Sequence, residues 1–158
     1  MDIVVNVSDA KTSRNPQDAL LTHALGSCIG VMLYDDLSKV AGMLHFQLPS
    51  AVDNPHRAEQ NPTMFADTGM EYVLDKMLQL GAKSGRLRIK IAGGAEMLND
   101  TKLFNIGRRN HAAIRKFLWQ RGLLIDSEDV GGRQPRTVRM DVADGAITVK
   151  SNGEVTSL

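Results

Sequence analysis

The chain has 158 residues, 42% of them hydrophobic and 23% charged, with a formal net charge of +1. That length suits one compact domain over residues 1–158 rather than two, and the charge balance excludes a global pull toward nucleic acid or an anionic membrane. No apolar run approaches the roughly 20 residues of a bilayer span, Met1-Asp2-Ile3-Val4-Val5 lacks the pattern of a signal peptide, and the one cysteine can form no internal disulfide, so the expected setting is a reducing cytoplasm without membrane insertion.

In chain order, residues 3–7 read as a first strand and 19–25 as a short second one. Gly26-Ser27 is a turn signal. Residues 28–34 are apolar throughout, as in a strand covered on both faces. Asp35-Asp36-Leu37-Ser38 is turn chemistry, and 39–48 is a second largely apolar run closed by Pro49. Residues 50–62 are polar, contain Pro55 and Pro62, and read as an exposed loop.

A helix is expected from Asp67 or Thr68, where Thr68 and Glu71 have capping-box spacing. It carries Met70, Val73, Leu74, Met77 and Leu80 at helical period and stops at Gly81. A second helix starts near Asn105, presents Ile106, Ala113, Ile114, Phe117 and Leu118, and ends at Gly122. Residues 87–91 alternate as a strand between them. Segments 123–130, 137–142 and 146–149 read as strands, the last two joined through Ala143-Asp144-Gly145. This order predicts an α/β (α+β) layered sandwich with a mixed or antiparallel sheet and two main helices.

The turn at 35–38 has a chemical consequence. A loop centred on Asp36-Leu37 pairs positions that add to 73, which sets Cys28 directly opposite His45 on one face of the ladder. An imidazole there can take the thiol proton and leave the nucleophilic thiolate. Gly26 permits an unusual turn just before the cysteine, so the amides of Ser27 and Cys28 can face a developing oxyanion. Thr22 carries a hydroxyl able to orient the imidazole. The alternative is structural: a cysteine and a histidine in apolar strands also serve as packed core residues, and a threonine in a strand needs no functional reason.

Other features point elsewhere more weakly. The four histidines, His23, His45, His56 and His111, match no metal-ligand spacing, so no metal and no cofactor is expected. Gly93-Gly94-Ala95 reads as a tight turn in preference to an anion nest, and no Lys-Ser/Thr pair makes it a P-loop. Arg108-Arg109 and Arg115-Lys116 read as the solvated face of the second helix. The Gly-rich basic loop 131–136 is open to two readings, an acidic partner or an ordinary exposed loop.

The same residues carry a family resemblance. Thr22-His23-Ala24-Leu25-Gly26-Ser27-Cys28 and Ala41-Gly42-Met43-Leu44-His45 resemble the core of the CheD family, the chemoreceptor glutamine deamidases. The likeness continues through Ala66-Asp67-Thr68, Leu80-Gly81-Ala82, Ala92-Gly93-Gly94-Ala95-Glu96-Met97, Ile106-Gly107-Arg108-Arg109-Asn110 and Asp129-Val130-Gly131-Gly132. It implies hydrolysis of particular glutamine side chains on methyl-accepting chemotaxis receptors by a Cys-His pair assisted by a threonine, here Cys28, His45 and Thr22. It also implies a sandwich fold similar to that of deamidating bacterial toxins, and in some species a CheC-type phosphatase as partner. His23-Ala24 and the long 50–62 loop depart from the family pattern. Two other functions stay open: a non-catalytic chemotaxis interaction module that binds receptors or a CheC-type phosphatase, and a receptor glutamyl-methylesterase.

Overall fold

The computed structural model describes residues 1–97 and 105–158. It contains two five-stranded mixed sheets. One sheet has the order β1 (Asp2–Val4), β3 (Ala19–Leu25), β8 (Arg136–Asp141), β9 (Ile147–Ser151), β10 (Glu154–Ser157). The other has the order β2 (Asp9–Ser13), β5 (Val40–Phe46), β4 (Ile29–Asp35), β6 (Leu87–Gly93), β7 (Ser127–Val130). The β1–β3 and β6–β7 pairs are parallel, and all the others are antiparallel. Three helices, α1 (Pro55–Gln60), α2 (Ala66–Gln79) and α3 (Ile106–Gln120), complete the described elements apart from short 3-10 turns.

The β4 and β5 strands are buried at every position because each face has its own cover. Ile29, Val31, Leu33, Leu44, Phe46, Ile89 and Ile91 pack against Met70, Val73 and Met77 of α2 and Ile114 and Leu118 of α3. Their opposite face sets Met32, Tyr34, Ala41 and Met43 against Leu20, Val138, Met140 and Val149 of the other sheet. The layers therefore run helices, sheet, sheet, which is the expected sandwich of α+β class.

The structure corrects the hairpin register. Paired positions in β4 and β5 add to 75, so Gly30, not Cys28, stands opposite His45. The reason is Asp35, expected in the turn but held as the last strand residue. Its buried carboxylate accepts hydrogen bonds from the Leu37 and Ser38 amides, the Lys83 amide and the Arg86 guanidinium. The loop is thus Asp36 to Lys39, and Lys39 takes a left-handed φ of +58° to close it. A shift of two residues preserves the face, because side chains alternate with period two.

Several boundaries also differ. The 9–13 strand and the terminal strand after Asn152-Gly153 were not expected, and the 50–62 loop contains α1. Only Ser127–Val130 of the 123–130 segment is strand. The α2 helix starts at Ala66 without a side-chain cap: the Thr68 hydroxyl donates to the Pro62 carbonyl at 2.6 Å, so there is no capping box. Gly81 and Gly122 follow the two long helices at φ of +105° and +68°, as expected of C-terminal stops.

Candidate active site

Thr22 and His45 come from different sheets and meet between them. Thr22 is 0% exposed and His45 1% exposed. The Thr22 hydroxyl donates to the Val5 carbonyl at 2.6 Å and lies 2.8 Å from Nδ1 of His45. A hydroxyl has one proton, and here the Val5 carbonyl takes it, so Thr22 Oγ1 must accept from His45. That fixes the neutral imidazole as the Nδ1–H tautomer. Nε2 then carries a lone pair, and it is buried with no hydrogen-bond partner among the described residues. Burial holds the imidazole down to about 4, against the opposing pull of Asp9, which faces it across the β2–β5 ladder. His45 is therefore uncharged at neutral pH.

Cys28 lies one step before β4, partly exposed, and packs against the cluster between the sheets. Extending the ladder by one residue sets it diagonal to His45 on the same face. Such diagonal neighbours are about 7–8 Å apart at Cα, within reach of longer side chains. Gly30, the residue opposite His45, has no side chain to intrude, and Leu25 covers it: a Cβ there would lie 3.0 Å from Leu25 Cδ1.

A bulge explains how β3 serves both Thr22 and the turn. Thr22 pairs with Val138 and Leu25 with Arg136, so one extra residue sits between them. Ala24 adopts φ of +54° to absorb it. Thr22 and Leu25 consequently both face inward, with His23 and Ala24 outward.

The 26–28 turn is supported from behind by backbone. The Gly26 carbonyl accepts from the Ala95 amide at 2.8 Å, and the Cys28 carbonyl from the Gly94 amide at 2.9 Å. Between them, the Ser27 carbonyl accepts from Nδ2 of Asn110 at 3.0 Å. A Cβ on Gly93 would lie 2.3 Å from the Cys28 carbonyl oxygen, and one on Gly107 would lie 2.5 Å from that of Ala95. Gly93-Gly94-Ala95 is thus a backing for the cysteine turn, which agrees with its structural reading. The 131–136 loop reinforces it, since Gly131 and Arg136 both donate to the Gly93 carbonyl. Arg136 also pairs with Asp129.

No cis peptide bond is present among the described residues, and in a trans peptide the C=O and the following N–H point oppositely. With the Gly26 and Ser27 carbonyls held on this support, the Ser27 and Cys28 N–H groups are turned away from it. The 50–62 segment folds beside α3, sharing a cavity of about 230 Å³ with Ile106 and Arg109. Among the described residues, no three His, Cys, Asp or Glu side chains gather as a metal site would require. No described helix is long and apolar enough to cross a membrane.

Asn110 is the residue that sequence reasoning left without a role. The signal was there: an amide occupies the apolar stripe of α3, four residues from Ile106 and four from Ile114, where a poor helix former needs a reason.

The family model for CheD, chemotactic sensory transduction, matches residues 47–151, beginning just after His45. Curated relatives extend the likeness over the candidate site. A probable chemoreceptor glutamine deamidase CheD of Solibacter usitatus (strain Ellin6076) is 42% identical over 96% of this chain and 90% of its own length. A second, CheD 1 of Syntrophus aciditrophicus (strain SB), is 43% identical over 96% of this chain and 95% of its own. One from Pyrococcus abyssi (strain GE5 / Orsay) is 36% identical over 94% and 91%. Among solved structures, the hypothetical protein YfiH of Bacillus licheniformis aligns at TM-score 0.47 and 13% identity, over 77% of this chain and 49% of that one. By the family match and by identity sustained along nearly its full length, the chain belongs to the CheD family.

Proposed function

We propose that the protein is a chemoreceptor glutamine deamidase, a hydrolase that converts receptor glutamine side chains to glutamate by cysteine chemistry in the cytoplasm. The names of its relatives support the reaction and the substrate. The observation that carries the mechanism is the hydrogen bond from His45 Nδ1 to a Thr22 hydroxyl already committed to Val5, which leaves Nε2 unprotonated on the face that Cys28 shares.

In the first step Nε2 of His45 takes the Cys28 proton while sulfur attacks the glutamine side-chain carbonyl carbon. The negative charge moves to the carbonyl oxygen, where the Ser27 and Cys28 amides receive it. The C–N bond then breaks, and the His45 imidazolium gives its proton to the departing ammonia. Water, deprotonated by the same Nε2, attacks the thioester. Glutamate leaves and the thiol is restored, so one water is consumed and one ammonia released per turnover. The imidazolium that forms twice in this cycle is favoured by Thr22 Oγ1 and by the Asp9 carboxylate. No cofactor enters. A CheC-type phosphatase is the proposed regulatory partner.

The test is ammonia release from a chemoreceptor fragment by the wild-type protein and by Cys28→Ala. Ammonia from the wild type alone is expected. Wild-type turnover retained by Cys28→Ala would overturn the reading, and methanol from a methylated fragment in place of ammonia would make the protein a methylesterase.

A further inference from the structure

We infer that Asn110 is a positioning residue that sets the oxyanion donor by fixing the Ser27–Cys28 peptide plane; this rests on the proposed deamidase reading. Asn110 is 0% exposed and uses one amide group twice. Its Nδ2 donates to the Ser27 carbonyl at 3.0 Å and to the Gln47 carbonyl at 2.9 Å. Ser27 immediately precedes Cys28, and Gln47 stands two residues after His45. A single side chain from α3 therefore ties together the two chain segments that carry the nucleophile and its base.

The tie has directional content. The Ser27 carbonyl belongs to the same peptide plane as the Cys28 N–H, and the two point oppositely. Holding the carbonyl toward α3 turns the Cys28 amide outward. The flanking carbonyls of Gly26 and Cys28 are held by backbone amides of the Gly94-Ala95 turn and need no side-chain donor. The central plane alone depends on a side chain. Because both of its acceptors are carbonyls, the position requires a donor pair: a carboxylate of the same shape would place oxygen against two oxygens. Without the tie, the central peptide is free to rotate and present its carbonyl where the oxyanion forms. α3 is itself seated by Gly107, whose Cα approaches the Gly94 and Ala95 carbonyls too closely for any side chain. Asn110 is thus delivered by a rigid element.

A packing role and an oriented-donor role separate by reaction. Alkylation of Cys28 by iodoacetamide needs the thiolate and builds no oxyanion, whereas deamidation needs both. Asn110→Ala and Asn110→Asp are expected to lower kcat for deamidation about 100-fold, the scale of losing one oxyanion donor. The alkylation rate should stay within about twofold of wild type, since sulfur and imidazole are untouched. Asn110→Ser, too short to reach both carbonyls, is the smaller change and should show the same split if the first variants fold poorly. Deamidation retained in a folded Asn110 variant, or alkylation falling in step with deamidation, would overturn the inference. The Cys28→Ala control keeps the two levels apart: if it still deamidates, the underlying reading fails, and if it is dead while Asn110→Ala works, only the role of Asn110 fails.

Discussion

At the scale of single residues, the site is a problem of where one proton sits. In a Ser-His-Asp triad a carboxylate orients the imidazole. Here a threonine hydroxyl does so, and it can act only as an acceptor because Val5 has already taken its proton. Removing the hydroxyl should therefore damage catalysis more than folding. Thr22→Val is expected to lower kcat about 10- to 100-fold, the equivalent of one buried hydrogen bond, with Thr22→Ser restoring most of it. Steady-state ammonia release measures both. His45 also couples the site to stability. Its folded pKa, about 4, lies below the ordinary 6.5. The unfolded chain thus binds a proton that the native state refuses, and the native state loses stability as pH falls through that window. The full shift corresponds to about 3 kcal/mol. Denaturant unfolding at about pH 7 and about pH 4.5 should show a smaller acid loss for His45→Gln than for wild type. Equal losses would place the titrating group elsewhere.

At the scale of elements, the site stands where four strand ends and the first turns of α3 converge, and glycine permits the approach. Gly93, at φ of +110°, lies against the Cys28 carbonyl with no room for a methyl group. Gly93→Ala should cost about 1–3 kcal/mol in thermal or denaturant unfolding and should cut deamidation beyond what its folded fraction explains. Much of this arrangement is legible in the residues. Strand β4 reads as doubly covered, the two long helices end at their glycines, and Cys28, His45 and Thr22 stand out by chemistry. The β4–β5 register was not legible, because it depends on Asp35 finding Arg86 and Lys83, residues some 50 positions away. Local turn preference pointed two residues off, and only the period-two alternation kept the cysteine on the right face. Strand β2 is short and polar, and it forms because β5 offers it a ladder. The last hairpin was legible in principle, since Asn152-Gly153 takes the two positive φ values of a tight hairpin turn.

At the scale of the whole molecule, the sandwich brings together residues that no single sheet could. Thr22 and His45 lie on facing sheets, so their hydrogen bond exists only when the sheets are packed. The packing is secured away from the site as well. The Tyr34 hydroxyl, five residues along β4 from Ile29 and about 17 Å away by strand rise, donates to the Val142 carbonyl at 2.9 Å across the sheets. Tyr34→Phe should lower stability by about 1 kcal/mol and leave kcat unchanged, because it loosens the joint without touching the proton relay. A large loss of kcat from that remote change would mean that the inter-sheet spacing at the site is set from the far end.

Catalysis by this site requires a His45 that is neutral, protonated on Nδ1 and basic at Nε2. Nitrogen-15 chemical shifts of the labelled imidazole, followed through a pH titration, test it most directly. A protonated Nδ1 and an unprotonated Nε2 are expected at neutral pH, with the ring gaining its second proton only near pH 4. Thr22→Val should erase the tautomer preference. An Nε2–H tautomer, or an imidazolium already formed at neutral pH, would contradict it.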